Sequence, residues 1–426
     1  MTDLDFEAAE TSLKHRALRS AANLFETELN ADTSDHTESQ GPCTCGRMAV
    51  YAGRREKTFT TVLGPLTLCR AYYHCEPCGR GFCPRDRDLG LEGGSHSPGV
   101  LRMVGIVGAT VSFEEGSELL KKLGAVEISP KQVEREAESL GREMAKDEQE
   151  VRAPEDLWEL KPTTYLGMDG TAAPMRAEEV KGRKGKQADG SSKSREVKLC
   201  TFWTAEGRDE NGIPVRDPGS VSYTAAIESA AEGPGDVPSD FAQRVQRESS
   251  RRHFGEATRR VILGDGAIWI WNLADTYFPD AIQIVDRFHA KQHLSDVSKL
   301  VYPGSAALAT PWAHARHDEL DCEKFEALYQ ALGTYADSIP EARQCIEYFR
   351  RNRDRMRYKT FHKRGLCTST GVVEAGCKHA IGTRLKRPGM HWTLMGANAI
   401  IALRCCKLSG GRFESFWERR NLKEAA

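Results

Sequence analysis

The sequence lacks any long apolar run. No stretch of its 426 residues approaches the roughly 18–20 consecutive apolar residues that a membrane-crossing helix needs. It also lacks a charge excess of either sign. Lys plus Arg number 60 and Asp plus Glu 61, a formal net charge of −1, which excludes a uniformly basic, histone-like binder. Local basic surfaces remain possible, because net charge says nothing about distribution. The opening MTDLDFEAAE is acidic where a secretory signal would be basic and then apolar. A soluble, cytoplasmic protein with no membrane partner is therefore expected. There is no internal repeat and no low-complexity tract. With hydrophobics at 39%, the composition is that of a folded chain, neither disordered nor collagen-like. The length allows about two to three domains and a real core without disulfide staples.

Along the chain, residues 1–40 carry nine acidic residues against three basic ones. Recurring apolar positions (Ala8, Leu13, Leu18, Ala22, Leu24, Phe25) predict an amphipathic helix or two, read as a solvated acidic face, before a polar linker at 31–42. Residues 41–92 hold a cysteine block. Between its halves, TFTTVLG and LTLCRAYYHC are β-branched and aromatic and meet at Gly64-Pro65, a hairpin signature. Residues 97–150 read as helices, LRMVGIVGATVSFEEGSELLKKLG and then a run started by Ser129 as N-cap and Pro130 at N1. Helix, turn and helix fit a helix-turn-helix DNA reader or a plain bundle. From 160 to 408 strands alternate with helices. TTYLGMDGTAAPM reads as strand, turn and strand, and 195–205, RRVILG and AIQIV as strands, which predicts an α/β layer. A purely helical stretch at 297–365 follows, and 409–426 reads as a tail.

Six of the thirteen cysteines fall between Cys43 and Cys83. In a reducing compartment such a cluster indicates metal rather than disulfides. Cys43 and Cys45 form one pair and Cys75 and Cys78 the other, each followed by Gly and joined by the hairpin. Two tight turns presenting two thiolates each suit tetrahedral Zn²⁺, so a zinc-ribbon-like β hairpin with structural Zn²⁺ is expected. The first pair is C-x-C rather than C-x-x-C, and Cys69 or Cys83 could replace a ligand. The alternative is a hairpin with reduced, buried cysteines.

Three acids stand out by placement. Asp169 ends the strand TTYLGM, Asp265 ends RRVILG, each is followed by Gly, and Glu374 opens a helix in GVVEAGCKHAIGTRLKR. Such carboxylates sit where α/β folds place ligands, and neighbouring carboxylates repel unless a cation lies between them. Mg²⁺ accepts one or two such groups plus phosphate oxygens. A lone Asp-Gly is more often a structural turn, and a helix-start Glu can simply complement the macrodipole. Asp286 and His289 form D-x-x-H at the next strand-to-helix junction, either as support for the acids or as a cap beside a solvated His. Trp269 and Trp271 suit base stacking or core packing.

Three stretches are basic. Lys181, Arg183, Lys184 and Lys186 lie in a Gly- and Ser-rich loop. Arg353, Arg355 and Arg357 lie in RRNRDRMRYKTFHKRG, and Lys378, Arg384, Lys386 and Arg387 directly follow Glu374. Two basic runs around a candidate catalytic acid point to nucleic acid, whose phosphates such groups bind without reading sequence.

The stretches KTFTTVLGPLTLCRAYYHCEPCGRGFCP, MDGTAAPMRAEEVKGRKGKQADGSSKSREVKL, VILGDGAIWIWNLADTYFPDAIQIVDRFHAKQHL and GVVEAGCKHAIGTRLKRPGMHW together resemble DDE-type insertion-sequence transposases of the ISKra-type group, with Mutator-like relatives. The resemblance spans about 45–395. It implies a ribonuclease H-like catalytic domain with a helical insertion, preceded by the ribbon and the helix-turn-helix-like segment. It implies Asp169, Asp265 and Glu374 as the acid triad holding Mg²⁺ (or Mn²⁺), supported by Asp286 and His289. DNA partners, the element's terminal repeats and target DNA, are implied with it, as is a homodimer or larger synaptic complex that cleaves and joins strands by a two-metal mechanism. The rival classes are a non-catalytic DNA-binding regulator or inactive relic, and a hydrolase using paired carboxylates on another substrate, against which the basic runs beside Glu374 argue.

Overall fold

The computed structural model describes residues 5–36, 38–150, 157–185, 187, 189–210, 212–231 and 237–425, with backbone only from 421. The chain divides into two compact units, Met1–Glu143 with Phe413–Ala426, and Met144–Arg412.

In the first unit, helix α1 (Phe6–Ala31) is capped by Asp5, whose side chain accepts from the Ala8 N–H. The long hairpin β1 (Met48–Thr61) and β2 (Gly64–Cys75) is antiparallel, with short strands Gln40–Pro42 and Arg80–Phe82 on its flanks. Its register pairs Phe59 with Leu66 and Thr61 with Gly64, so the turn falls at Val62–Leu63 and not at Gly64-Pro65. Thr61 closes it by donating from Oγ1 to the Gly64 carbonyl at 2.8 Å. An open strand edge is a liability, and side chains of α1 and the segment after it cover this one. The N–H groups of Thr67, Cys69 and Ala71 donate to Glu26, Asn30 and Asp35 at 2.7, 2.8 and 2.7 Å. The expected polar linker is thus tied down, with Asp35 also bidentate to Arg54.

The helical run divides into three rather than two: α2 (Pro98–Thr110), α3 (Phe113–Gly124) and α4 (Pro130–Glu150). The break comes from a capping box, with Ser112 and Glu115 satisfying each other's backbone N–H. Ser129 and Gln132 cap α4 in the same reciprocal way. The segment read as a tail forms helix Arg412–Ala425.

The second unit is a mixed α/β fold. Its main sheet has five strands, β3 (Thr163–Pro174), β4 (Ser194–Thr204), β5 (Ser222–Ala226), β6 (Arg259–Gly264) and β7 (Ile282–Val285), in the order β7-β6-β3-β4-β5. The first three form an antiparallel meander, and β6 and β7 run parallel to β3. The pair expected at TTYLGMDGTAAPM is one continuous strand, because β4 stays in register with it from Thr164 to Pro174 and the Asp-Gly never turns. Helix α5 (Asp240–Arg251) precedes β6, and α6 (Ile268–Tyr277) joins β6 to β7. Helices α7 (Arg287–Val301), α8 (Ala306–Asp321), α9 (Phe325–Gly333) and α10 (Pro340–Arg351) then lead to α11 (Gly371–Gly376), a π-helical turn Cys377–Gly382, and α12 (Leu394–Leu408).

An ionic network pins α5 to the sheet. Arg244 pairs with Glu148 and Glu228, both at 2.7 Å. The fully buried Glu248 accepts from Ser222 at 2.6 Å and Arg412 at 3.0 Å.

Candidate functional site

Cys43, Cys45, Cys75 and Cys78 come together in the first unit, with all four sulfurs within 4.8 Å of one another. Cys43 lies 3.7 Å from Cys78 and Cys45 lies 3.6 Å from Cys75. A zinc tetrahedron with bonds of about 2.3 Å has sulfur–sulfur edges of about 3.8 Å, so the cluster could hold a metal ion and is compatible with structural zinc. Each pair sits on a tight turn closed through its Gly, whose N–H donates to the Cys43 or Cys75 carbonyl. Gly46 and Gly79 have φ of +81° and +67°, a conformation that excludes most side chains. The Cys45 backbone N–H holds the Cys43 thiol down to about 7, while burial pushes Cys75 up to about 12. Four thiols this close cannot all ionise without a cation between them. Neither Cys69 nor Cys83 joins the cluster.

The carboxylates lie in the second unit. Parallel pairing sets Leu263 against Gly167, and two further residues bring Asp265 level with Asp169. Asp169 therefore lies inside a strand, not at its end, but beyond the end of the neighbouring β6. Its Oδ1 accepts from the Gly170 N–H at 2.6 Å and its Oδ2 from the Cys377 thiol at 3.3 Å. Glu374 stands on α11, one turn before Cys377. That helix reaches the sheet through two glycines: a Cβ on Gly167 would fall 2.1 Å from Val373 Cγ2, and one on Gly376 2.8 Å from Tyr223 and 2.9 Å from Leu199. Burial raises the Asp169 carboxyl above its usual range. Its bonds from Gly170 and Cys377 oppose that, and the Asp265 and Glu374 charges push it further up. All three acids therefore share one electrostatic neighbourhood. Among the described residues they do not form as tight a cluster as the four cysteines.

Around them the supports are backbone-directed. Asp265 accepts from the Ala267 N–H at 2.9 Å, and the Tyr348 hydroxyl donates to the Asp265 carbonyl at 3.0 Å. Gly266 has φ +97°, and a Cβ there would meet the Tyr348 ring at 2.6 Å. Asp286 is fully buried. It caps α7 through the His289 N–H at 2.5 Å and accepts from the Thr370 hydroxyl at 2.7 Å. Asp286 is thus a structural clamp between β7 and the approach to α11. The exposed His289 makes an edge contact with His293, at 4.9 Å between ring centroids, and His293 lies 4.5 Å from Tyr348. Trp271 is buried beneath Arg355, and Trp269 packs on Phe241 with the Lys198 ammonium over its face.

Of the basic residues, Lys181, Arg183, Lys184, Lys378 and Lys386 are exposed and Arg387 half-buried. The Lys386 ammonium donates to Thr171 at 2.6 Å, two residues past Asp169. Lys186 lies outside the described residues. Arg384 corrects the expectation of a phosphate contact: it is fully buried over Trp392, 5.2 Å from the ring centroid, and donates to Met390 Sδ. Arg353, Arg355 and Arg357 pair with Glu326, Asp275 and Asp354.

Sequence reasoning missed Cys377 and Arg404. The buried Arg404 donates to the Ala380 carbonyl at 2.8 Å and to the His379 carbonyl and Thr383 hydroxyl, satisfying the carbonyls that a π-helical turn leaves open. Such turns recur at functional sites, and no local signal announces one.

The model of the uncharacterised protein family UPF0236 matches residues 46–421. The chain belongs to this family. In this UPF0236 chain the matched span begins immediately after Cys45 and contains Cys75, Cys78 and all three carboxylates. No curated protein matches the sequence. Among the described residues of the UPF0236 chain, no helix is long and apolar enough to cross a membrane.

Proposed function

We propose that this UPF0236 chain is a DDE-type transposase that cleaves and rejoins DNA at the ends of its own element. One observation carries this: Asp169, Asp265 and Glu374, brought from a strand, the end of its neighbour and a helix, are close enough that two of the charges disfavour the third. Further support comes from the sheet. Three antiparallel strands continued by two parallel ones, in the order five-four-one-two-three, is the layout expected of a ribonuclease H-like domain. The helices between β7 and α11 stand where the resemblance implies an insertion.

The donor set is all oxygen, which fits Mg²⁺ or Mn²⁺, and Asp169, Asp265 and Glu374 would hold such ions. When bound, they would supply activation of a water or 3′-hydroxyl and stabilisation of the leaving oxygen. The chain's own residues do the rest. Lys181, Arg183, Lys184, Lys378, Lys386 and Arg387 attract the DNA backbone. Asp286 fixes the loop before α11 through Thr370, and Cys377 orients Asp169. No covalent protein–DNA intermediate is needed, so no nucleophilic side chain is either. The four-cysteine hairpin is a structural zinc module of the DNA-binding part, and two copies act together on paired ends.

The test is cleavage of the DNA flanking the gene by purified protein, with Mg²⁺ or with EDTA, beside Glu374→Gln. Metal-dependent nicking that disappears in the variant while DNA binding persists is expected. Nicking retained in Glu374→Gln refutes the triad, and binding without nicking in any divalent metal leaves a DNA-binding regulator.

A further inference from the structure

We infer that the first four turns of α1 are a self-docking element that pairs antiparallel with the same helix of a second copy of this chain. The C-terminal part of α1 is held down through Ala22, Glu26 and Asn30, and the N-terminal part through the long Lys14 side chain alone among the described residues. Every residue from Asp5 to Ala17 is exposed, a stretch of about 20 Å at 1.5 Å per residue. An exposed helix of this length is marginal in water unless a face is packed.

It carries such a face. At 100° per residue, Phe6, Ala9, Leu13 and Ala17 fall within about 80° of arc, directly opposite the buried Ala22. Phe6 and Leu13 are 74% and 60% exposed. The small residues Ala9 and Ala17 flank Leu13, so two such stripes can approach closely.

Charge decides the partner and the direction. Asp5, Glu7 and Glu10 occupy the first turns, and Lys14, Arg16 and Arg19 the next. In an antiparallel pair whose two-fold axis passes near residue 12, Asp5 stands opposite Arg19 along one flank and Glu10 opposite Lys14 along the other. The symmetry makes each pair twice. Parallel in-register pairing would set acid on acid and base on base. Asp5, Glu10 and Arg19 enter no ion pair among the described residues, and the Lys14 ammonium meets only the Leu123 carbonyl, at 2.9 Å. A second copy therefore supplies what this helix lacks, independently of any catalytic role.

The test uses two full-length variants. Asp5→Lys with Glu10→Lys makes all four paired positions basic, and Lys14→Glu with Arg19→Glu makes all four acidic. Wild type should be a dimer by light scattering. Each variant alone should dissociate on the order of tenfold or more readily, from four like-charged pairs. An equimolar mixture should restore the dimer, which also shows that neither variant is misfolded. A monomeric wild type overturns the proposal, as do variants that dimerise normally alone. Variants that stay monomeric when mixed refute the antiparallel register.

Discussion

Gly167→Ala tests how tightly α11 is seated. The added Cβ would lie 2.1 Å from Val373 Cγ2 and 2.9 Å from Trp203 Cζ3, where carbon atoms pack at about 3.5–4.0 Å. Trp203 cannot yield, since it is 1% exposed and stacked on Tyr165 with the rings 13° apart. Val373 is fully buried and, being β-branched, stiff at χ1. The helix must therefore lift by about 1.5 Å, at the overpacking cost of about 1–3 kcal/mol. Urea unfolding followed by tryptophan fluorescence reads that loss as a lower midpoint at unchanged slope. Gly371→Ala is the control: its Cβ meets only Ser369 Oγ, at 3.5 Å, so it should stay within about 0.5 kcal/mol of wild type. Adding Val373→Ala to Gly167→Ala removes the obstructing methyls and should recover about 1 kcal/mol relative to additivity. Lifting α11 also carries Glu374 and Cys377 away from Asp169. With the proposed chemistry, a displacement on this scale lowers nicking about a hundredfold. Wild-type stability in Gly167→Ala, or strict additivity with Val373→Ala, would refute the packing argument.

Two further outcomes are expected. Purified protein should carry zinc that Cys75→Ser abolishes in elemental analysis. Zinc affinity, read by chelator competition, should weaken steadily as pH falls, because the Cys75 thiol is already protonated at neutral pH, and more steeply once Cys43 protonates too, near 7; zinc content unchanged in Cys75→Ser would be the contrary result. In the other unit, burial works against the Glu248 charge, but Arg412 and Arg251 hold its carboxyl down at about 2, from an ordinary 4.5. Its contribution is thus fully present above pH 4.5 and lost as pH falls toward 2. Glu248→Gln should cost about 3–5 kcal/mol at neutral pH, with the gap to wild type closing across that acid window in denaturant melts; a gap independent of pH would oppose this account.

Local pattern was enough wherever the cause was local. Alternating β-branched residues marked the hairpin and four of the five strands of the main sheet of the second unit, and Ser129-Pro130 marked the start of α4. Cys43, Cys45, Cys75 and Cys78 were legible because each pair shares one tight turn, and a hairpin brings its two ends together whatever the rest of the chain does. What depended on distant partners was not legible. Strand β5, SYTAA, shows no alternation because all five residues are buried, and only pairing with β4 makes it a strand. The Asp-Gly at 169–170 reads as a turn until β4 supplies eleven consecutive partners to its strand. Arg384 looks like a phosphate ligand by composition, yet the packing of Trp392 against it takes it out of water. The bond between Cys377 and Asp169 joins residues 208 apart, a proximity that no local spacing encodes. By itself, then, the sequence determined the hairpin, the cysteine pairs and most of the strands, since propensity and turn chemistry act within a few residues. Tertiary structure decided which acids feel one another's charge, which cations stay in water and which face of α1 is left bare, because each of these depends on contacts between segments far apart in the chain.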